Sequence, residues 1–131
     1  MKKVLIVEDD PIGGMVYQRG MTKQGFAVEL ATDGAKGLER VTAFQPDAVI
    51  LDLMMPKVSG IEFLKKLREQ EAFRELPVVV LTNACVPAFV DQAKKAGANY
   101  VMDKSKATPV TVAELLCSGC NIVAEKPAAA S

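Results

Sequence analysis

The sequence predicts an α/β protein, a doubly wound five-stranded parallel sheet in the order 2-1-3-4-5. Three observations predict it. Val4–Val7, Ala48–Leu51 and Val78–Leu81 are short, uninterrupted apolar runs containing β-branched residues, the pattern of strands buried on both faces. Two weaker strand patterns, Phe26–Ala31 and Tyr100–Met102, suit the edges. Stretches of helical spacing separate all five. The order 2-1-3-4-5 puts the three continuous runs in the centre and makes strands 1 and 3 neighbours at a topological switch point, where such sheets hold ligands.

Each element has a local reason. Val4–Val7 ends at Glu8-Asp9-Asp10-Pro11, where Asp10 as N-cap and Pro11 at the first helical position open a helix. Ile12, Met15, Val16 and Arg19 follow at helical spacing, and Gly25 ends the segment. In the second strand Phe26, Val28 and Leu30 alternate with Ala27, Glu29 and Ala31. Asp33 caps the next helix, with Ala35, Leu38 and Val41 expected on its inner face and Pro46 as its limit. Ala48–Leu51 stops at Asp52, Pro56 forbids its continuation, and Ser59-Gly-Ile-Glu62 reads as a capping box for a third helix through Ile61, Leu64 and Leu67.

Leu76-Pro77 introduces Val78–Leu81, which ends at Thr82. Val86, Phe89, Val90 and Ala93 mark a fourth helix, with Gly97 as its stop. Tyr100–Met102 precedes Asp103-Lys104-Ser105, and Thr108-Pro109 opens a last helix through Val112, Leu115, Leu116 and Ile122. No internal repeat is visible. Residues 1–125 read as one domain and 126–131 as a tail or the start of a linker.

Composition excludes several classes. Sixteen basic and sixteen acidic residues cancel, so no global field favours direct nucleic-acid binding or an anionic membrane. No apolar run approaches the ~20 residues of a membrane span, and the N-terminus lacks the apolar core of a signal peptide; the cytoplasm is the expected compartment. Three cysteines speak against a disulfide framework. Cys117-Ser-Gly-Cys120 matches C-x-x-C but falls inside the last helical pattern, in a chain without histidine, so its cysteines read as small helix-face residues.

In this topology Glu8, Asp9, Asp52, Thr82 and Lys104 reach the same rim of the sheet. Two carboxylates ~4 Å apart repel by about 4 kcal/mol at an effective dielectric of 20. Three together demand a cation, and an oxygen-only set suits Mg²⁺, which keeps waters and leaves room for a phosphate. Lys104 adds one positive charge and Thr82 a hydroxyl donor, which makes a site for accepting a phosphoryl group on a carboxylate.

Val-Leu-Ile-Val-Glu8-Asp9-Asp10, then Pro46-Asp-Ala-Val-Ile-Leu-Asp52-Leu-Met-Met-Pro56, Val-Leu-Thr82 and Lys104 together resemble a response regulator receiver domain of the CheY-like, flavodoxin-like fold. The resemblance runs from about Lys3 to Val123. It implies a two-component phosphorelay protein and not an enzyme in the ordinary sense. Asp52 would be the phosphoacceptor, Asp9 a direct Mg²⁺ ligand and Glu8 a ligand acting mainly through water. Met54 would offer its backbone carbonyl to the metal, Thr82 would bind a phosphoryl oxygen, and Lys104 would pair with the phosphate. A sensor histidine kinase or phosphotransfer protein would be the donor, and a surface of helix 4, strand 5 and helix 5 the output to a target the sequence does not name.

The chain departs from the family pattern at three places. Val101 stands where receivers usually carry an aromatic, and Tyr100, one residue away, faces the other side of the sheet. Ser105 follows the lysine where proline is usual, so a trans peptide is expected there. Asn83 is larger than the small residue usual after the threonine. These imply a modest rearrangement on phosphorylation. Met54 and Ala84 flank the path of an attacking water in the family and are apolar here, which implies slow self-dephosphorylation. An aspartate-based phosphohydrolase would want a second acid where Met54 stands. A receiver-like fold used only for binding is the remaining alternative.

Overall fold

The computed structural model of the chain describes residues 2–52, 60–83, 87–120 and 122. Five parallel strands form one sheet in the order β2-β1-β3-β4-β5: β1 (Lys3–Val7), β2 (Ala27–Ala31), β3 (Ala48–Asp52), β4 (Val78–Thr82) and β5 (Tyr100–Asp103). The helices are α1 (Pro11–Lys23), α2 (Gly34–Phe44), α3 (Gly60–Glu69), α4 (Pro87–Ala96) and α5 (Pro109–Cys120), with a 3-10 turn at Glu71–Phe73. The predicted order and edge strands are those observed.

Side chains alternate across the central strands and build two cores. On one face Leu5, Val7, Val49, Leu51, Val78 and Val80 meet Val41 of α2, Phe63, Leu64 and Leu67 of α3, and Ala93 and Ala96 of α4. On the other Val4, Ile6, Ala48, Ile50, Val79 and Leu81 meet Tyr17 and Met21 of α1 and Val112 and Leu116 of α5. Each fully buried Val, Leu, Ile, Met or Phe side chain here contributes about 1.5–3 kcal/mol relative to exposure. The uninterrupted apolar runs are thus explained by helices on both faces.

Caps fall where the sequence puts them. Asp10 accepts from the Ile12 N–H at 3.2 Å, and Asp33 accepts from the Lys36 N–H at 2.7 Å. Thr108 accepts from the Thr111 N–H at 3.1 Å, and Thr111 Oγ1 accepts from the Thr108 N–H at 2.8 Å. Gly97 follows the last residue of α4 with φ +118°, the left-handed conformation that favours glycine. The proposed cap of α3 at Ser59 lies outside the described residues.

Three expectations change. In α1 the buried residues are Gly14, Tyr17 and Met21, whereas Ile12, Met15 and Val16 are exposed. A Cβ on Gly14 would come within 2.7 Å of Leu30, so a glycine, not an apolar side chain, faces β2. In α2 Ala35 is exposed and Gly37 takes the inner position, where a Cβ would lie 2.8 Å from the Phe63 ring. α5 ends at Cys120, two residues early. Ile122 still packs in the core, because its N–H reaches back to the Leu116 carbonyl at 2.8 Å, a closure typical of helix C-termini.

Candidate functional site

The C-terminal ends of β1, β3, β4 and β5 define the rim. Strand register places Asp52 beside Leu81 and Thr82 beside Asp103, while Glu8 and Asp9 directly follow β1. The Glu8 N–H donates to the Ala31 carbonyl at 3.0 Å and the Lys104 N–H to the Thr82 carbonyl at 3.0 Å. Both residues are therefore held by backbone one step past their strands.

Glu8, Asp9 and Asp52 each bring a carboxylate oxygen to within 4.8 Å of the other two. Glu8 is 3% and Asp52 6% exposed. Lys104 Nζ lies 2.9 Å from Glu8 Oε2 and 3.7 Å from Asp52 Oδ2. Glu8 Oε1 also accepts from the Asp10 N–H at 3.2 Å, so Asp10 supports the cluster through its backbone while its side chain caps α1. Thr82 is fully buried at the end of β4.

Among the described residues the Lys104 ammonium reaches both Glu8 and Asp52. Burial pushes the Glu8 carboxyl up. The Lys104 ammonium pulls it down, Asp52 pushes it further up, and the balance is about 7. Burial lowers Lys104, but the hydrogen bond from its ammonium to Glu8 and the charges of Asp52 and Glu8 outweigh it and hold the ammonium above its ordinary value. An isolated ion pair would lower the acid as well as raise the base. Here burial and the neighbouring Asp52 carboxylate outweigh the Lys104 ammonium at Glu8. Three buried or half-buried carboxylates whose oxygens converge within 4.8 Å of one another fit a Mg²⁺ ion by their donor chemistry.

The sequence-predicted residues Glu8, Asp9, Asp52 and Lys104 are brought together, with Thr82 on the adjacent strand end. Met54 and Ala84 lie outside the described residues. Val101 and Tyr100 face opposite sides of β5 as expected, Val101 against the α2–α4 core and Tyr100 against the α1–α5 core, with the Tyr100 hydroxyl donating to the Gly119 carbonyl at 3.0 Å. Cys117 and Cys120 are free thiols on the last turn of α5.

Sequence reading missed Tyr17, whose hydroxyl donates to the Ala107 carbonyl at 2.8 Å and ties α1 to the loop after Lys104. Burial raises its phenol, with Lys104 opposing and Glu8 adding. It also missed Asp103, whose Oδ1 accepts from the Ser105 N–H at 3.0 Å and hydroxyl at 2.7 Å. The Asp-x-Ser spacing is a turn signal that was there to be read.

The described residues thus place a carboxylate cluster facing Lys104 at the switch point of a 2-1-3-4-5 sheet. The chain belongs to the response regulator receiver domain family, which residues 4–115 match. It is 42% identical over 80 residues to the transcriptional regulatory protein QseB of Haemophilus influenzae, covering 61% of this chain and 35% of QseB. It is 38% identical over 82 residues to the DNA-binding dual master transcriptional regulator RpaA of Synechocystis, covering 63% of this chain and 34% of RpaA. The matched stretch therefore spans about a third of these curated relatives. The chemotaxis protein CheY4 of Vibrio cholerae has a similar structure, with TM-score 0.84 and 30% identity over 88% of this chain and 96% of CheY4.

Proposed function

We propose that this receiver accepts a phosphoryl group on Asp52 and relays that event to a protein partner. The observation that carries the reading is Lys104, held between Glu8 and Asp52 where Asp9 completes the carboxylate set. An Asp52 carboxylate oxygen forms a bond to phosphorus while the donor's P–N or P–O bond breaks, and the leaving group departs with the bonding electrons. The product is an acyl phosphate, which water later cleaves to phosphate and the free carboxylate.

Asp9 and Asp52 would hold Mg²⁺ directly, Glu8 mainly through water, and the Met54 carbonyl would complete the protein ligands. Bound there, Mg²⁺ would neutralise the carboxylates and the incoming phosphoryl oxygens. Lys104 would pair with a transferred oxygen and Thr82 would donate its hydroxyl to another. Because the Lys104 N–H is tied to the Thr82 carbonyl, movement of Thr82 would be felt on β5. The output surface would be α4, β5 and α5, with Phe89 and Val110 among its exposed apolar side chains. Val101 offers less bulk than an aromatic to follow Thr82, which supports a modest rearrangement.

The donor would be a sensor histidine kinase or phosphotransfer protein. Ile12 and Val16, 75% and 57% exposed, lie on α1 just beyond the acid rim with Met15, and a protein delivering a phosphoryl group to Asp52 would cover them. Among the described residues no helix is long and apolar enough to cross a membrane, and a cytoplasmic setting accords with such a relay. The balanced charge supports a receiver that does not itself bind nucleic acid, although QseB and RpaA are named as transcriptional regulators. Incubation with acetyl phosphate and Mg²⁺ tests the reading by intact mass. One phosphoryl group should appear on the parent and none on Asp52→Asn; equal labelling of the two would overturn it.

A further inference from the structure

Lys104 must deliver its ammonium to a fixed point between two carboxylates, from a residue just past the end of an edge strand. The family usually follows this lysine with proline, and here Ser105 stands there in a trans linkage. What fixes the backbone around Lys104 is a set of hydrogen bonds centred on Asp103. Its carboxylate accepts from the Ser105 N–H and hydroxyl, at 3.0 and 2.7 Å. Its carbonyl accepts from the Lys106 and Ala107 N–H groups, both at 3.0 Å. Ala107 is in turn pinned by the Tyr17 hydroxyl at 2.8 Å.

We infer that Asp103, through the turn it closes with Ser105, is a positioning residue that aims Lys104 at Glu8 and Asp52. This goes beyond the phosphoacceptor reading but rests on it for its kinetic consequence. Asp103 is not one of the three clustered carboxylates, and Ser105 is exposed, so the turn belongs neither to the cation site nor to the core. Its bonds span Lys104 itself, from residue 103 to residue 105. The side-chain bonds to Ser105 are no part of the strand ladder, so losing them loosens the turn that carries Lys104 while its N–H stays tied to the Thr82 carbonyl at 3.0 Å. A serine hydroxyl and a carboxylate thus do, in this chain, the constraining work that a proline ring does by fixing φ.

The test is the rate of acyl phosphate formation from phosphoramidate at fixed Mg²⁺, with the Lys104 side-chain nitrogen resonance followed in donor-free protein. Asp103→Ala should slow labelling by about tenfold and move the Lys104 resonance toward that of the solvent-exposed lysines. Asp103→Asn and Ser105→Thr, which keep an acceptor and a hydroxyl, should stay within about twofold of the parent. In a Lys104→Ala background, Asp103→Ala should add no further slowing. Parental rates in Asp103→Ala, an unmoved Lys104 resonance, or equal slowing in the Lys104→Ala background would each overturn the inference. If the parent takes no phosphoryl group, the phosphoacceptor reading fails, and the Lys104 resonance alone decides whether Asp103 positions that side chain.

Discussion

Mg²⁺ should stabilise this fold, and by more at pH 8 than at pH 5.5. The Glu8 carboxyl is pushed from an ordinary 4.5 to about 7 by burial and by Asp52. For an acid raised on folding, the folded state keeps its proton longer than the unfolded chain. Stability from this group is therefore fully present below pH 4.5 and is lost as pH rises through 7. The gap corresponds to about 3 kcal/mol. Each pair of carboxylates in the cluster, at no more than 4.8 Å, repels by about 3.5 kcal/mol or more at an effective dielectric of 20. A cation at 100 times its dissociation constant adds about 2.7 kcal/mol. At ~4 °C per kcal/mol for a chain of this size, the thermal midpoint at pH 8 should rise by ~10 °C. At pH 5.5, where Glu8 holds a proton that competes with the ion, the rise should be less than half of that. Melts followed by circular dichroism, with NaCl matching the ionic strength, report both values. An equal rise at both pH values would refute the coupling of the cation to the raised Glu8 carboxyl, and no rise at pH 8 would refute the cation site.

Other expectations follow from single residues. Asp9→Ala should abolish Mn²⁺ broadening of the backbone resonances around the rim, while Glu8→Ala should only weaken it; broadening undiminished in Asp9→Ala would contradict its place as a direct ligand. Gly20→Ala should destabilise the protein by about 1–3 kcal/mol despite the helix propensity of alanine. The new Cβ would lie 2.2 Å from Pro109 Cγ, on a ring that cannot turn away, and a raised urea midpoint would show that α1 and α5 are less closely set. Met54→Asn with Ala84→Glu should speed phosphate release from the labelled protein by placing polar groups at the two positions that the family resemblance assigns to the flanks of the water path. An unchanged release rate would remove the argument from those side chains.

The fold was legible because burial on two faces leaves a signature that survives in sequence. Ala48–Leu51 and Val78–Leu81 admit no polar residue, and the alternating Phe26–Ala31 stretch stands out as the edge it is. Helix faces were less legible. Ile12, Met15 and Val16 spell an apolar stripe on α1, yet the buried face is Gly14, Tyr17 and Met21, because close approach to β2 selects the absence of a side chain. The acids and the lysine were legible as polar residues at the ends of apolar runs. That Lys104 sits nearer Glu8 than Asp52 was not, since that choice depends on sub-ångström placement across residues 96 apart. Tyr17 was hidden for a similar reason: its partner Ala107 is 90 residues away.

Direction of the phosphoryl group to a single carboxylate of the cluster can be read residue by residue. Borohydride reduces an aspartyl phosphate to homoserine, so peptide mapping after reduction locates the acyl phosphate residue by residue. After incubation with acetyl phosphate and Mg²⁺, homoserine should appear at position 52 alone and should disappear when Mg²⁺ is chelated. Homoserine at Asp9 or Asp103, or a mass increase with none at position 52, would contradict phosphoacceptance at Asp52.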